Sequence, residues 1–346
     1  MLRYLTCGES HGEALMAILE GIPAGLKLDA SEINLWLKRR QEGPGRGARM
    51  KIEKDTVNIL SGTRKGLTIG SPIGMMIKNK DFSINKLPDV FAPRPAHADL
   101  AGFLKYGTHD MRDILERASA RETASRVAVG AVCATLLEEF GVKIKSNVAI
   151  VGGESRPKEI PQRIKEAYDK GDTVGGIFQV QVSGVIPGLG SHVQPDRKLD
   201  ARICAQVMSI PGIKAIGFGL GFAYGHCFGS ECHDPILYSN CNGYYRCTNN
   251  AGGIEGGISN GEDIVFSACM KPIATLAHPL ASVDVRTKKP CKANVQRSDT
   301  CAVHAAAVVA EAACAFVLAG AFLEKFGADN LKDIKQAFLA YRKKIC

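Results

Sequence analysis

The strongest constraint on the fold comes from one long apolar segment near the carboxyl end of the chain. Residues 301–323 are interrupted only by His304 and Glu311, and ten of them are alanine. The segment is long enough to cross a bilayer, but an acid near its middle would cost roughly 2.5–3.5 kcal/mol to insert. We therefore predict no membrane association and a helix at the centre of the protein, whose small residues let other elements pack closely on it.

Further helices and strands can be predicted from periodicity. A second stretch, residues 127–137, is apolar on nearly every face and belongs in the core for the same reason. The predicted helices lie near residues 29–42, 113–139, 160–170, 198–208, 302–326 and 331–344, and the predicted strands near 57–60, 74–77, 142–148, 177–182 and 263–268. Strands and helices do not alternate regularly, which argues against a doubly wound sheet. We predict one continuous domain over residues 1–346, with helices at the centre and sheets outside.

Charge and cysteine usage indicate the kind of partner and the compartment. The formal charge is +9, and residues 38–54 carry seven basic side chains against two acidic ones. A second basic stretch spans 286–297, and such clusters attract anions. Aromatic residues make up only 6% of the chain, and it has no recognisable nucleic-acid module, so a nucleic-acid partner is not expected. The twelve cysteines are scattered through apolar runs and no export signal is apparent. This pattern predicts free thiols in a reducing cytoplasm.

Two short motifs contain histidines suited to proton transfer. Ser10 and His11 lie together between Gly8 and Gly12, where glycines let the backbone approach a ligand. The alternative is a tight turn with a structural histidine. His97 lies in a proline-stiffened loop, close enough to Asp99 to be oriented by it, although a surface histidine would fit the same pattern.

Basic and hydroxyl-bearing segments suggest anion sites. Arg117 and Arg121 would share one face of a helix at i,i+4 spacing, with either an anionic ligand or Glu122 between them. The segment 271–275 places a lysine and a threonine after a predicted strand, where phosphate could bind, although a plain turn is the alternative. Asp299 precedes the core helix and could cap it.

Two further patterns are weak. The glycines of 217–221 form half of a dinucleotide fingerprint, without the third glycine or the helix that should follow. The pairs 226–227 and 232–233 have the spacing of a zinc site, but they lie in a stretch that reads as strand and turn and have no supporting ligand pair. We predict no metal site.

Taken in order, the motifs resemble the chorismate synthase family from Gly8 to about Gly327. The most diagnostic segments are GESHGEALMAILEGIPAG, RASARETASRVAVGA and QRSDTCAVHAAAVVAEA. Between them lie RRQEGPGRGARM, RPAHADLAGFLKYG, AGGIEGGISNG and KPIAT. The resemblance implies an α+β fold, a β-α-β sandwich in which antiparallel sheets enclose central apolar helices. It also implies a lyase that removes phosphate from 5-enolpyruvylshikimate 3-phosphate by 1,4-anti elimination. The reaction gives chorismate and requires reduced FMN without net redox change.

The same resemblance implies roles for individual residues. His11 would protonate or stabilise the reduced flavin, His97 would act as general acid toward the departing phosphate, and Asp299 would assist proton transfer near the flavin N5. The implied substrate-binding residues are Ser10, Arg40, Arg46, Arg49 and Arg121. Arg40 and Arg46 also match positions linked to NADP. The implied FMN-binding residues are Arg117, Ala118, Ser119, Pro211, Gly212, Gly256, Lys271, Pro272, Ile273, Ala274, Thr275 and Arg297.

Some features depart from the family pattern. Pro211 and Gly212 stand where the family has an amide residue and alanine, and Ala96 stands where it has glycine or serine. We expect FMN to bind nevertheless, through backbone groups. The resemblance further implies a homotetramer, with NADPH as a possible reductant or a separate flavin reductase. The alternatives are an FMN-dependent oxidoreductase and, outside enzymes, a basic nucleic-acid-binding protein.

Overall fold

A computed structural model describes residues 1–47, 53–240, 243–296 and 299–345. In this part of the chain the helices are α1 (Ala30–Gln41), α2 (Asp99–Tyr106), α3 (Arg112–Arg117), α4 (Thr123–Glu138), α5 (Ile160–Asp169), α6 (Leu199–Met208), α7 (Gly229–Cys232), α8 (Val303–Phe326) and α9 (Leu331–Ile345). The longer strands are β1 (Arg3–Cys7), β2 (Ala14–Glu20), β3 (Val57–Ile59), β6 (Ile73–Lys78), β7 (Lys143–Val151), β8 (Gly176–Ser183), β9 (Ile213–Phe218) and β14 (Ile264–Met270). Small hairpins pair β4 (Thr63–Arg64) with β5 (Leu67–Thr68), β10 (Ile236–Ser239) with β11 (Gly243–Arg246), β12 (Ile254–Glu255) with β13 (Ile258–Ser259), and β15 (Ala281–Val283) with β16 (Pro290–Lys292).

The two apolar helices form the centre of the fold. Helices α4 and α8 pack directly on each other, with α1 and α6 beside them. Helix α8 is long and apolar enough to span a membrane, but 89% of its most apolar window is buried inside the protein, so the prediction of a buried core helix is confirmed. Its acid is accommodated because Glu311 accepts hydrogen bonds from Arg39 at 2.7 and 2.8 Å and from Ser146 at 2.5 Å.

Two antiparallel sheets enclose these helices. The first has the strand order β1-β2-β6-β3 and covers α4, and the second has the order β7-β8-β14-β9 and covers α8. Alternate residues of β14 point into the core, beginning with Ile264 and Phe266, as expected for a strand with one buried face. The β-α-β sandwich and the α+β class are therefore confirmed, as are the predicted strands.

The predicted helix start at Asp29 is also confirmed, because its side chain accepts a hydrogen bond from the backbone N–H of Ser31 at 2.9 Å. The continuous helix predicted over 113–139 is wrong. Ser119 is extended, with ψ of 141°, and its hydroxyl accepts a bond from the N–H of Arg121. The chain therefore breaks between α3 and α4, which separates Arg117 from Arg121.

Two local predictions are also wrong. Asp299 does not cap α8, whose N-cap position is Ala302. The stretch around the zinc-like pairs is a 3₁₀ turn, Gly221–His226, followed by the short helix α7, rather than a strand and turn.

Candidate active site

A cavity of about 280 Å³ opens where the loops after β1, β6 and β14 meet the amino-terminal ends of α4 and α8. It collects side chains from segments that are far apart in sequence. The predicted site residues that line it are Ser10, His11, Arg40, Arg46, His97, Ala118, Ser119, Arg121, Pro211, Gly212, Lys271, Pro272, Ile273, Ala274, Thr275 and Asp299.

Two of the predicted residues that the structure describes do not line the cavity. Arg117 instead donates hydrogen bonds to the carbonyl of Gly8 at 2.8 Å and to Thr6, which secures the end of β1. Gly256 lies in the turn between β12 and β13. Arg49 and Arg297 lie outside the described residues.

His11 is held by a buried carboxylate. Its Nδ1 lies 2.9 and 3.1 Å from the two carboxylate oxygens of Glu116, and its backbone N–H donates to the same group at 2.8 Å. On the other side, Nε2 lies 3.8 Å from a carboxylate oxygen of Asp81. Ser10 is anchored as well, since its N–H donates to the Glu116 carbonyl at 3.0 Å. Neither periodicity nor motif spacing indicated a role for Glu116.

His97 has a similar arrangement. Its Nδ1 lies 2.6 Å from Asp99, which confirms the expected orienting contact. Asp99 also accepts bonds from Arg94, whose Nη1 donates to the Thr275 hydroxyl at 2.8 Å. Burial works to raise the pKa of Asp99, but the hydrogen bonds from His97 and Arg94 outweigh it and hold that pKa well below the usual range. The carboxylate therefore stays ionised beside His97.

Two arginines share one buried carboxylate. Asp55 accepts from Arg40 at 2.8 Å and from Arg121 at 2.6 Å, and Arg121 also donates to the Asn79 side-chain oxygen at 2.9 Å. Burial lowers the pKa of Arg40, although Asp55 opposes the shift. The fixed guanidinium groups need no ligand to order them. Glu122, the alternative to a ligand between Arg117 and Arg121, instead pairs with Arg126 at 3.0 Å.

Arg46 reaches the cavity because of a glycine turn. Gly45 has a φ of +81°, and a Cβ there would lie 3.0 Å from the backbone N of Cys301, so only glycine allows this close approach to the segment that precedes α8. Arg46 then donates to Asp299 at 2.5 Å, and the N–H of Gly47 donates to the same carboxylate at 2.6 Å.

The opposite wall combines an apolar surface with positive charge. Apolar side chains there include Ile210 and Met270, and the carbonyl of Gly212 accepts a hydrogen bond at 2.9 Å from the N–H of Lys271, the residue after β14. Burial lowers the pKa of the Lys271 amino group, and the charges of Lys214 and Arg94 add to that shift. An anion bound here would relieve the repulsion between these cations.

The cavity as a whole is equipped to bind an anion and move protons. Five cationic side chains line it, Arg40, Arg46, Arg94, Arg121 and Lys271, and Asp299 is the one acid among the described lining residues. Both histidines in the lining have Nδ1 against a carboxylate, an arrangement that fixes the ring and its tautomer.

Comparison with known proteins identifies the family. The family model for chorismate synthase matches residues 2–323. The chain belongs to the chorismate synthase family. Chorismate synthase of Caldanaerobacter subterraneus is 54% identical over 98% of both chains, and that of Aquifex aeolicus is 48% identical over 98% of this chain and 97% of its own. A solved chorismate synthase structure superposes with a TM-score of 0.82 at 42% identity, covering 99% of this chain and 98% of that one. The chain is therefore an enzyme, a lyase that eliminates phosphate.

Proposed function

We propose that the protein converts 5-enolpyruvylshikimate 3-phosphate to chorismate by FMN-dependent 1,4-anti elimination of phosphate. The observation that carries this proposal is the cavity itself. It joins two histidines, each backed by an ionised or buried carboxylate, to a cationic lining in a protein of the chorismate synthase family.

The charge of the lining supports a polyanionic substrate. The substrate carries one phosphate and two carboxylates, about −3.5 to −4 in total if the phosphate counts as about −1.5 to −2. Arg40, Arg46 and Arg121 would bind these groups, with Ser10 nearby and Arg49 as a further proposed contact. Planar guanidinium groups suit both kinds of anion because they can donate two parallel hydrogen bonds.

His97 is proposed as the general acid. Its Nδ1 faces Asp99, so the proton would be delivered from Nε2 to the departing phosphate. Asp99 keeps the ring in place. Asp299, fixed by Arg46 and Gly47, would accept or return a proton on the other side of the cavity.

The residues present fit a flavin with an anionic tail. The apolar wall formed by residues such as Ile210 and Met270 suits a flat ring system, and Lys271 and Thr275 suit a phosphate. Arg40 Nε is buried without a hydrogen-bond partner among the described residues, so the cavity has donor capacity left for an anion. The chemistry that reduced FMN supplies when bound is reversible electron donation, or a base, which leaves no net redox change.

Further contacts to FMN are proposed on the family pattern. They involve Arg117, Ala118, Ser119, Pro211, Gly212, Gly256, Lys271, Pro272, Ile273, Ala274, Thr275 and Arg297. His11 would exchange a proton with the reduced flavin. We also propose a homotetramer in the cytoplasm, built from one domain per chain, with flavin reduced by NADPH at Arg40 and Arg46 or by a separate reductase.

The test is anaerobic turnover of 5-enolpyruvylshikimate 3-phosphate with dithionite-reduced FMN. Chorismate absorbance and phosphate release are followed in the same reaction. We expect the two products in equal amounts, a severe loss in His97→Ala, and unchanged turnover in the control His192→Ala, whose side chain is exposed and does not line the cavity. FMN binding without either product would refute the lyase assignment and favour the oxidoreductase.

A further inference from the structure

The carboxylate of Glu116 lies directly behind His11. Its side chain has no exposed surface, and its two oxygens contact both the backbone N–H and Nδ1 of His11. The Glu116 carbonyl accepts the N–H of Ser10 as well. One residue of α3 therefore holds two consecutive residues of the loop that carries His11.

Glu116 remains ionised in this position. Burial works to raise its pKa, but the hydrogen bonds and charge of His11 lower it below the ordinary value, with a smaller contribution from Arg112 at 3.5 Å. An ionised carboxylate can only accept hydrogen bonds. The Nδ1 atom facing it must therefore carry a proton, and Nε2 becomes the ring nitrogen that can gain or lose one.

We propose that Glu116 is a positioning residue that holds His11 as the Nδ1–H tautomer, with Nε2 as its proton-exchanging atom. One proton moves at Nε2, while Nδ1 keeps its proton and Glu116 stays anionic. The proposal rests on the proposed function, since His11 is assigned there to proton exchange with the flavin. Among the described residues, a carboxylate oxygen of Asp81 also lies 3.8 Å from Nε2.

The arrangement matches that of His97 and Asp99, where a buried carboxylate also faces Nδ1. The two histidines belong to different loops, and their carboxylates come from different helices, Glu116 from α3 and Asp99 from α2. Both imidazoles thus have Nδ1 within hydrogen-bond distance of a carboxylate, and Nδ1 of His97 also lies 3.1 Å from Nη2 of Arg94. Which nitrogen carries the proton in a histidine is set by the bond that the other one makes.

The tautomer can be measured without flavin or substrate. In apo-protein labelled with ¹⁵N-histidine, the ring signals of His11 are those lost in His11→Asn. At a pH where the ring is neutral, we expect the Nδ1–H tautomer in the wild type and in Asp113→Asn, an exposed change on the same short helix. Glu116→Ala should shift His11 toward the Nε2–H tautomer, while the signals of His97 stay in place and report an intact fold.

Glu116→Gln keeps the volume of the side chain and one acceptor oxygen, so it should retain part of the Nδ1–H population. It also keeps the test informative if the alanine variant does not fold. An Nε2–H tautomer in the wild type, or an unchanged tautomer in both Glu116 variants, would overturn the proposal.

Turnover provides the second measurement. We expect kcat to fall on the order of 10- to 100-fold in Glu116→Ala, the range seen for partners that orient metal-bound histidines, and less in Glu116→Gln. KM should change far less, because the substrate-binding arginines are untouched. A tautomer shift with undiminished kcat would show that the contact does not serve the reaction. If the wild type fails to turn over the substrate, the proposed function fails, whereas the tautomer result still decides the role of Glu116.

Discussion

Gly130 allows the two core helices to cross at close range, and its replacement by alanine tests that packing. A Cβ at this position of α4 would lie 2.4 Å from both Cα and Cβ of Ala312 and 2.5 Å from its carbonyl oxygen in α8. Ordinary contact begins at 3.4 Å, so the helices would have to separate by 1.0 Å, the difference between 3.4 and 2.4. The obstacle is backbone, which cannot rotate away as a side chain can.

Two effects of opposite sign determine the outcome. Alanine is favoured over glycine inside a helix by about 1 kcal/mol. Overpacking of a core typically costs about 1–3 kcal/mol, and a backbone obstacle argues for the upper end. We therefore expect Gly130→Ala to lower the free energy of unfolding by about 2 kcal/mol, the difference of about 3 and about 1.

Gly320 in α8 provides a matched control, because it is also a glycine inside a core helix. Among the described residues, a Cβ there would meet the Arg202 Nη2 atom at 3.2 Å and a Leu2 methyl at 4.0 Å. The end of a long side chain can move, so Gly320→Ala should be neutral or stabilising by up to about 1 kcal/mol.

Urea unfolding at one fixed protein concentration measures both variants, because assembly would make stability depend on concentration. Ala312→Gly should not rescue Gly130→Ala, since the clashes with the Ala312 Cα and carbonyl remain. Equal or greater stability of Gly130→Ala than the wild type would refute the argument that the helix backbones limit this site.

Three further results are expected. Asp99→Asn should reduce turnover on the order of 10- to 100-fold, as for other partners that orient a histidine. The folded-state pKa of Asp99 lies below its ordinary 3.8, so the stability lost in Asp99→Asn should be constant at neutral pH and shrink as pH falls through that ordinary value. Urea midpoints from pH 7 to about 3 would show the change, and a constant difference over that whole range would contradict it. Lys271→Met should not destabilise the apo-protein, because burial and neighbouring cations disfavour the charge of the lysine. It should weaken FMN binding about 10- to 100-fold in a fluorescence titration. A destabilised protein with unchanged FMN affinity would exclude the phosphate role of Lys271. Arg39→Ala leaves Glu311 buried without its cation and should lower the free energy of unfolding by about 2–3 kcal/mol in urea. This is less than the usual loss of about 3–5 kcal/mol for breaking a buried ion pair, because the Arg39 side chain is 41% exposed. The double variant Arg39→Met with Glu311→Leu should recover most of the lost stability.

The sequence by itself determined the architecture. Residues 127–137 and 301–323 have no polar face, so they had to be central whatever surrounded them, and the structure places α4 and α8 there. Five of the longer strands were predicted as well, because alternation of buried and exposed residues is a local property of a one-sided strand, whereas β1 and β2 were not predicted. The order of the motifs was enough to indicate the family.

The tertiary structure alone decided the partners of charged residues that lie far apart in the chain. The i,i+4 spacing of Arg117 and Arg121 predicted that both lie on one helix face. The extended backbone at Ser119 interrupts the helix, so Arg121 pairs with Asp55 and Arg117 donates to the end of β1. Asp299 likewise faces Arg46 rather than a helix end.

The contact between His11 and the buried carboxylate of Glu116 could not be predicted from the sequence for the same reason. Glu116 follows His11 by 105 positions, a separation at which periodicity carries no information. Periodicity reports which face of an element is buried, and that follows from local geometry. A hydrogen bond between side chains that are distant in sequence requires the donor–acceptor distance to be right within a few tenths of an ångström. That distance is set only when the helices and sheets pack together.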